Sequence, residues 1–501
     1  MWPSLARLML VVVSLGPIAA CSIAARPAPA GPAAVTAQAA PTTLSYSSFI
    51  GGTKDDRAFN SAVDPSGSFY LVGQTDSGDF PPGGRTVVGK DVFIVKLAPD
   101  GARLWTQFLG GNGDDIAYAV AYDPTGGVLV TGSTSSDNFN LVNAAQTTYG
   151  GNQDGFVARL RADTGAVVWS TYVGGSGTEQ VNGIVARADG SALIHGHTES
   201  PNLRTLNAFQ PTIGGKGDSF VAGYTPVGAL AWCSFLGGND GELSAGAALD
   251  SSGALYVTGQ TLSSNFPVKN ALQGNIGGFQ DGFVTKIAPA GNEIVWSTFL
   301  GGGQYDLARA IAVDSAGRIA VAGWTASINF PIKNAVQSVY GGGIFDGFIS
   351  LLAPDGRSLL WSTYFGGNAR ERFRGVAISS VGVSVVGYTE STNYPTLNPV
   401  QAAPGGVGTD LHDIVVTQIG LDGRTRFSTY HGGSGNDVAF GITDHGGKIA
   451  IAGGSTSANL PLAEAKQPAL AGGEDAIIAI YTGPTLARGP LIPIAGVNAT
   501  G

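Results

Sequence analysis

The sequence has few of the residues on which disulfide or metal stabilisation depends. It contains 2 cysteines, Cys21 and Cys233, and 5 histidines among 501 residues. No Cys/His cluster with the spacing of a metal site occurs, so neither a metal ligand nor a cofactor is predicted. Because Cys21 is assigned to a lipid anchor below, no intramolecular disulfide is available, and stability must come from buried apolar surface.

Charge is also sparse. Charged residues make up 13% of the chain, 36 acidic against 27 basic, and no run of lysine or arginine stands out. Nucleic-acid binding needs clustered positive charge to neutralise phosphates, so a nucleic-acid partner is not expected. The P-loop, dinucleotide-binding, G-x-S-x-G and H-E-x-x-H motifs are absent, and we predict no catalytic residue.

An apolar run of 13 residues follows Arg7 and is too short for a membrane-spanning helix. It ends in Ile-Ala-Ala-Cys at residues 18–21, which resembles the bacterial lipobox, where the cysteine is acylated and becomes the new N-terminus. We predict a signal peptide at 1–20, lipidation of Cys21, and an Ala- and Pro-rich tether at 21–43. The alternative is an ordinary secretory signal cut at the same point.

This leader predicts a location. The mature chain would contact a membrane only through its lipid anchor and would belong to the bacterial cell envelope. Ser22, rather than an aspartate, follows the cysteine and favours the outer membrane of a Gram-negative cell.

Glycine, by contrast, is abundant, with 77 copies, and it marks a repeat. A Gly-Gly pair after a β-like run recurs at intervals of 59 to 66 residues, beginning at Gly51, Gly110, Gly174, Gly237, Gly301, Gly366 and Gly432. The clearest copy, Trp296 to Trp361, holds four short β-type runs separated by turns such as Pro-Asp-Gly. Seven such units predict an all-β fold, a seven-bladed β-propeller of four antiparallel strands per blade over residues 44–484, with a tail at 485–501.

The two ends of the repeat predict how the ring closes. The last unit supplies only its first three strands, near Val438, Lys448 and Ala476. The opening run Leu44 to Ile50 matches the fourth strand and has no first three before it. We therefore expect the N-terminal strand to complete the last blade, which removes the open edges of the sheet.

The units contain W-S-T-Y-x-G-G, I-A-V-D-x-x-G, V-x-G-x-T and D-G-F-V-x-K-L-x-P-D-G. Through this pattern, from Leu44 to about Tyr481, the chain resembles the bacterial SBBP-type β-propeller repeat family. The resemblance implies an exported or surface-attached protein and leaves its biochemical role open.

Positions common to all units are interpreted as structural. An aromatic residue in the fourth strand is expected to pack between blades: Tyr46, Trp105, Trp169, Trp232, Trp296, Trp361 and Phe427. An acidic residue opens the first strand: Asp56, Asp115, Glu179, Glu242, Asp306, Glu371 and Asp437. These carboxylates either accept hydrogen bonds from the preceding Gly-rich turn or form a ring that holds Ca²⁺ at one mouth of the channel, and the first interpretation is favoured.

Positions that differ between units are where a single ligand would be recognised. Units five and six carry Trp324 and Tyr388 after the glycine of the second strand, and Arg309 and Arg374 three residues beyond the acidic position. Aromatic rings beside guanidinium groups suit a sugar, a carboxylate or an acidic protein segment. The alternative is that Arg309 and Arg374 only neutralise the acidic residues three positions before them.

Unit three carries a histidine pair, His195 and His197, on one face of its second strand, which suits two metal ligands or an acid–base pair. A partly buried, hydrogen-bonded pair is the structural alternative, and no third ligand is visible.

The long loops between second and third strands emerge on the same face as the Gly-Gly turns, and long loops on a rigid scaffold commonly carry function. We interpret the protein as a binding or scaffold module for a protein or glycan partner at the cell envelope. The alternatives are a propeller lyase or hydrolase with its site at the channel mouth, and a component of an outer-membrane assembly complex.

Overall fold

The computed structural model describes residues 42–482, except 407, 409, 410 and 446. The predicted signal peptide, Cys21, the tether to residue 41 and the C-terminal tail lie outside the described residues. The described part forms 28 strands in seven four-stranded antiparallel sheets, which confirms the predicted seven-bladed propeller. Its described residues include no helix long and apolar enough to cross a membrane.

Each blade takes four consecutive strands, except the last. Blade 1 has β2 (Asp56–Val63), β3 (Phe69–Thr75), β4 (Asp91–Leu97) and β5 (Arg103–Leu109). Blade 2 has β6 (Asp115–Asp123), β7 (Gly127–Thr134), β8 (Asp154–Arg161) and β9 (Val167–Val173). Blade 3 has β10 (Glu179–Ala186), β11 (Ala192–Thr198), β12 (Asp218–Tyr224) and β13 (Leu230–Leu236). Blade 4 has β14 (Glu242–Leu249), β15 (Leu255–Thr261), β16 (Asp281–Ile287) and β17 (Ile294–Leu300).

Blade 5 has β18 (Asp306–Val313), β19 (Ile319–Thr325), β20 (Asp346–Leu352) and β21 (Leu359–Phe365). Blade 6 has β22 (Glu371–Ile378), β23 (Val383–Thr389), β24 (Asp413–Ile419) and β25 (Thr425–His431). Blade 7 has β26 (Asp437–His445), β27 (Lys448–Ser455), β28 (Asp475–Thr482) and, as its fourth strand, β1 (Thr43–Ile50). The N-terminal strand therefore closes the ring as predicted, and it pairs antiparallel with β28 from Thr43–Thr482 to Ile50–Ala476.

The core lies between the blades, because each apolar cluster joins the facing sides of neighbouring sheets. Tyr70 of blade 1, for example, shares a cluster with Val120 and Phe156 of blade 2. An antiparallel sheet with alternating apolar and polar residues commonly buries only one face. In the propeller each sheet lies between two neighbouring blades, and both of its faces are buried.

The aromatic residue of the fourth strand locks adjacent blades together. Trp232 is 5% exposed and lies against Gly291, which turns between β16 and β17 with a φ of 72°. A Cβ at Gly291 would stand 2.2 Å from the indole ring, so both the left-handed backbone and the close approach require glycine. The same contact recurs at Gly101, Gly165, Gly228, Gly356 and Gly423. The predicted inter-blade role of these aromatic residues is confirmed.

Candidate functional site

The innermost strand of every blade carries a β-bulge at its fourth residue. There the pairing register shifts and one residue has no partner on the next strand. The bulged residues are Phe59, Tyr118, Asn182, Ala245, Arg309, Arg374 and Phe440, and all seven line a central channel cavity of about 460 Å³. A bulge re-aims a side chain, so it explains why this variable column of the repeat faces the channel.

One side of the channel is aromatic. The Phe59 ring contacts Tyr118 edge-on at a centroid separation of 5.7 Å and contacts Phe440 at 5.2 Å. The three rings belong to the adjacent blades 7, 1 and 2, so they form one continuous apolar wall.

The neighbouring side of the channel is cationic. The Arg309 Nη1 donates to the carbonyl of Ala245 at 2.7 Å, and the Arg374 guanidinium lies 5.0 Å from the centroid of Phe440. Burial, together with the positive charge of Arg374, lowers the pKa of Arg309 to about 10. Burial also lowers the pKa of Arg374. Both groups remain charged at neutral pH, and they repel each other.

Arg374 connects the channel to a second group of side chains at the mouth, the arginine–aromatic cluster of Trp324, Phe345, Arg372, Arg374 and Tyr388. The Arg372 guanidinium lies 5.0 Å from the ring centroids of both Trp324 and Phe345. Arg374 lies 5.9 Å from Trp324 and 5.4 Å from Tyr388. Trp324, Arg372 and Arg374 are partly exposed, whereas Tyr388 is buried.

Arg309 and Arg374 do not neutralise the acidic residues three positions before them, Asp306 and Glu371. Asp306 accepts hydrogen bonds from the Gly302 N–H at 2.6 Å and from Ser327 at 2.8 Å. Glu371 accepts from Gly367 and Thr389 in the same way. Within the described chain, no carboxylate forms an ion pair with Arg309, Arg372 or Arg374.

The acidic residue of the first strand caps the Gly-Gly turn in all seven blades. Each is at most 2% exposed, and each accepts a hydrogen bond from the second glycine of the turn. This is the favoured interpretation of the two considered. The carboxylates are enclosed in the turns and are absent from the cavity lining.

A second carboxylate faces the same turn from the neighbouring blade. Asp281, which opens β16, accepts hydrogen bonds from Gly277 and Gln273. A Cβ at Gly301 would stand 2.5 Å from the Asp281 carboxyl carbon, so the turn lies directly against it. Burial, together with the negative charge of Asp306, raises the pKa of Asp281 to about 6. Each blade junction thus holds two carboxyl groups that interact.

The two predicted histidines occupy separate environments. His195 is fully buried behind Gly183 in the channel wall, neither ring nitrogen has a hydrogen-bond partner, and burial lowers its pKa to about 3. The His197 Nδ1 lies 2.8 Å from the backbone carbonyl of Glu242 in blade 4. Across the described ranges, no group of three or more His, Cys, Asp or Glu side chains is arranged to hold a metal ion.

Large apolar side chains are exposed beside the arginine–aromatic cluster, on the face of the long loops. The blade 4–5 apolar patch consists of Phe279, Tyr305, Ile328 and Ile344, which are 64%, 48%, 80% and 59% exposed. Phe279 and Tyr305 stack at 5.7 Å, and the Tyr305 carbonyl accepts from Ala326, two residues after Trp324. Ile344 precedes Phe345 of the cluster, so the two features form one surface.

Sequence comparison identified part of this site. Two columns of the repeat depart from their usual residues at Trp324, Tyr388, Arg309 and Arg374, and Arg374 contacts both aromatic rings. Arg372 and Phe345 were missed, although the column of Arg372 also holds Arg57 and otherwise mostly apolar residues.

One protein-family match agrees with the architecture. Residues 104–140 match the SBBP family, described as a β-propeller repeat. The regulatory protein FlaEY of Caulobacter vibrioides is 25% identical over 265 residues, which is 49% of this chain and 27% of that protein. The chain thus spans about a quarter of the length of this curated relative.

Two solved structures are similar over most of the chain. The WD40 β-propeller domain of Doa1 has a TM-score of 0.45 at 10% identity, covering 88% of this chain and 97% of that one. A protein of unknown function from Dyadobacter fermentans has a TM-score of 0.43 at 9% identity, covering 88% of this chain and 99% of that one.

Proposed function

Because this chain is a seven-bladed β-propeller that carries an SBBP-type repeat, we propose that it is a binding module that docks a protein partner on the long-loop face of blades 4 to 6. The observation that carries the proposal is Arg372, which lies between two aromatic rings without a carboxylate partner in the described chain. A guanidinium in this setting is ready to pair with an acidic group of a partner.

The blade 4–5 apolar patch favours a protein over a glycan. Contiguous exposed aromatic and aliphatic side chains mark protein interfaces, in which such residues become the buried centre. The partner segment should therefore combine acidic with apolar residues. The relative in Caulobacter is named a regulatory protein, which fits a role through binding.

Loss of the arginine–aromatic cluster should abolish docking without unfolding the propeller. Partners would be identified by cross-linking in intact cells and mass spectrometry, then purified for affinity measurement. We expect Trp324→Ala with Arg372→Gln to weaken binding at least about tenfold, because aromatic and arginine residues dominate interface energetics. The melting temperature should change by only a few degrees, since both side chains are partly exposed.

The control replaces one apolar residue and one arginine on the opposite face. Val227 is 75% exposed at the turn between β12 and β13, and Arg426 pairs with Asp422 near the turn between β24 and β25. Val227→Ala with Arg426→Gln should bind as the native protein does. Equal affinity of the two double variants for the partner would refute the proposed face. Capture that survives protease treatment of the partner would identify the partner as a glycan.

We further propose that Cys21 anchors the propeller to the bacterial outer membrane, as the lipobox-like sequence suggests. The native protein should partition into detergent with lipid mass attached, and Cys21→Ser should become soluble. Cys233→Ser is the control, because Cys233 is 2% exposed and burial raises its pKa to about 12. Membrane retention of Cys21→Ser, with no lipid on the native chain, would rule out the anchor.

A further inference from the structure

The channel holds a second feature, which shares only Arg374 with the arginine–aromatic cluster of the proposed docking face. We propose that the central cavity binds a small organic carboxylate, with its anionic group at Arg309 and Arg374 and its apolar body against Phe440 and Phe59. The site lies inside the ring at the bulged positions, whereas the docking face lies on the long loops.

Charge is the first argument. Arg309 and Arg374 project from adjacent blades into one cavity, and neither has an ion-pair partner in the part of the chain that the structure describes. Burying a cation without a counter-ion is costly, and two cations in one cavity repel. The chain as a whole carries a formal charge of −9, so carboxylates were available, yet none of the described Asp or Glu residues lines the cavity. A bound anion would satisfy both guanidinium groups through charge-assisted hydrogen bonds.

Shape is the second argument. The cavity of about 460 Å³ falls within the range of small-molecule sites and excludes a folded segment. Next to Arg374 the wall is formed by Phe440 and then Phe59, which are in edge-on contact. On the other side of Arg309 the ring continues with Ala245, the smallest of the bulged residues, which leaves space beside the guanidinium. A cationic half beside an aromatic half matches a carboxylate with an apolar body.

The stability of the arginine variants separates a ligand site from a structural role. If the arginines served the fold, their loss would destabilise it. If they instead bind an anion, Arg309→Gln should leave the melting temperature of the ligand-free protein unchanged or raise it, because it removes one of two repelling charges that share the cavity.

Benzoate is the probe, with benzamide as its uncharged analogue and inorganic phosphate as an anion without an apolar body. Binding to the purified protein is measured by saturation-transfer NMR and calorimetry. We expect benzoate to bind, benzamide and phosphate to bind at least about tenfold more weakly, and Arg309→Gln to lose about tenfold in affinity. Arg426→Gln, which removes a surface arginine, should bind benzoate normally.

Two further variants keep the result interpretable. Ala245→Leu retains both charges and fills the space beside Arg309, so it should also block benzoate, even if Arg309→Gln folds poorly. Phe279→Ala with Ile328→Ala alters only the exposed blade 4–5 apolar patch of the docking face and should retain benzoate binding, which distinguishes failure of this proposal from failure of the proposed function. No binding of benzoate, or equal binding by the native protein and Ala245→Leu, would overturn the proposal, as would phosphate binding as tightly as benzoate.

Discussion

Deletion of residues 43–50 should abolish cooperative folding of the whole propeller. These residues form β1, the only part of blade 7 that comes from the N-terminal end of the chain. Phe49 is 1% exposed and Tyr46 is 5% exposed. Loss of a single buried aromatic side chain typically costs about 3–5 kcal/mol, and the whole native state is stable by only about 5–15 kcal/mol.

The strand also connects blades and loops that would otherwise be separate. Tyr46 lies against Gly101 of blade 1, so the deletion opens the junction between blades 7 and 1. Ser47 exchanges backbone hydrogen bonds with Ala463, and the Ser48 hydroxyl accepts a hydrogen bond from the Gln467 N–H at 3.0 Å. Without β1, the edge of β28 would be exposed and open to pairing with another chain.

Circular dichroism and calorimetry of the purified deletion variant would test this expectation. A deletion of equal length in the predicted tether, residues 30–37, is the control and should melt like the native protein. A deletion variant of 43–50 that melts cooperatively within a few degrees of the native protein would show that the ring does not depend on closure by β1.

Stability should fall as pH rises from 5.5 to 8. Burial raises the pKa of carboxyl groups at the blade junctions, to about 6 in Asp56, Asp115, Asp154, Asp218, Asp281 and Asp346 and to about 7 in Glu371 and Asp413. Burial also raises the pKa of Asp91, Asp306, Asp437 and Asp475. In most junctions the partner carboxylate adds to the effect, because two like charges so close resist ionising together.

The sign follows from proton linkage. Between the ordinary carboxyl pKa near 4 and the raised native values, the folded protein holds protons that the unfolded chain has released. Each such proton changes the free energy of unfolding by about 1.4 kcal/mol per pH unit, and stability is lost as pH passes the native pKa. Buried His195 and His431, with pKa values lowered to about 3 and about 4, act in the opposite direction only below about pH 6.5, where the unfolded histidines become protonated.

Melting temperatures across this range would measure the effect, and Asp281→Asn provides the matched variant. The amide keeps an oxygen for the Gly277 N–H and cannot ionise, so this variant should melt above the native protein at pH 8 and lose less stability between pH 5.5 and 8. A native melting temperature that rises toward pH 8 and falls with EDTA would show instead that the carboxyl pairs hold a cation.

The architecture could be predicted from the sequence because every blade repeats the same pattern of strands and turns. Gly-Gly turns, the acidic cap and the fourth-strand aromatic recur at fixed offsets, so seven weak signals reinforce one another. Closure by the N-terminal run Leu44 to Ile50 followed from counting the strands at the two ends of the repeat. The precise contacts of Tyr46 with Gly101 did not follow, because they depend on how blade 7 stacks on blade 1.

Residues of the candidate site could be predicted from the sequence only at positions where one unit differs from the others. Comparing the aligned positions of the seven units placed Trp324, Tyr388, Arg309 and Arg374 in two neighbouring blades. Consecutive units of the sequence occupy neighbouring places around the ring. The alternative, in which the arginines neutralise the acidic residues, was wrong. Three residues along a strand span about 10 Å, the carboxylates cap the Gly-Gly turns, and the bulge turns each arginine into the channel. His195 and His197 share a strand face, yet only packing determines that one is sealed in the wall and the other meets blade 4.

The amino-acid sequence by itself determined the number of blades, their strand order and the way the ring closes, because turn chemistry and side-chain alternation are local and are repeated seven times. Tertiary structure alone decided which side chains face the channel, which carboxyl groups meet at the blade junctions, and that Arg309, Arg372 and Arg374 have no acidic partner in the described chain. These features arise from bulges and from the stacking of separate blades, which bring together residues about 65 positions apart, and no local pattern records those distances.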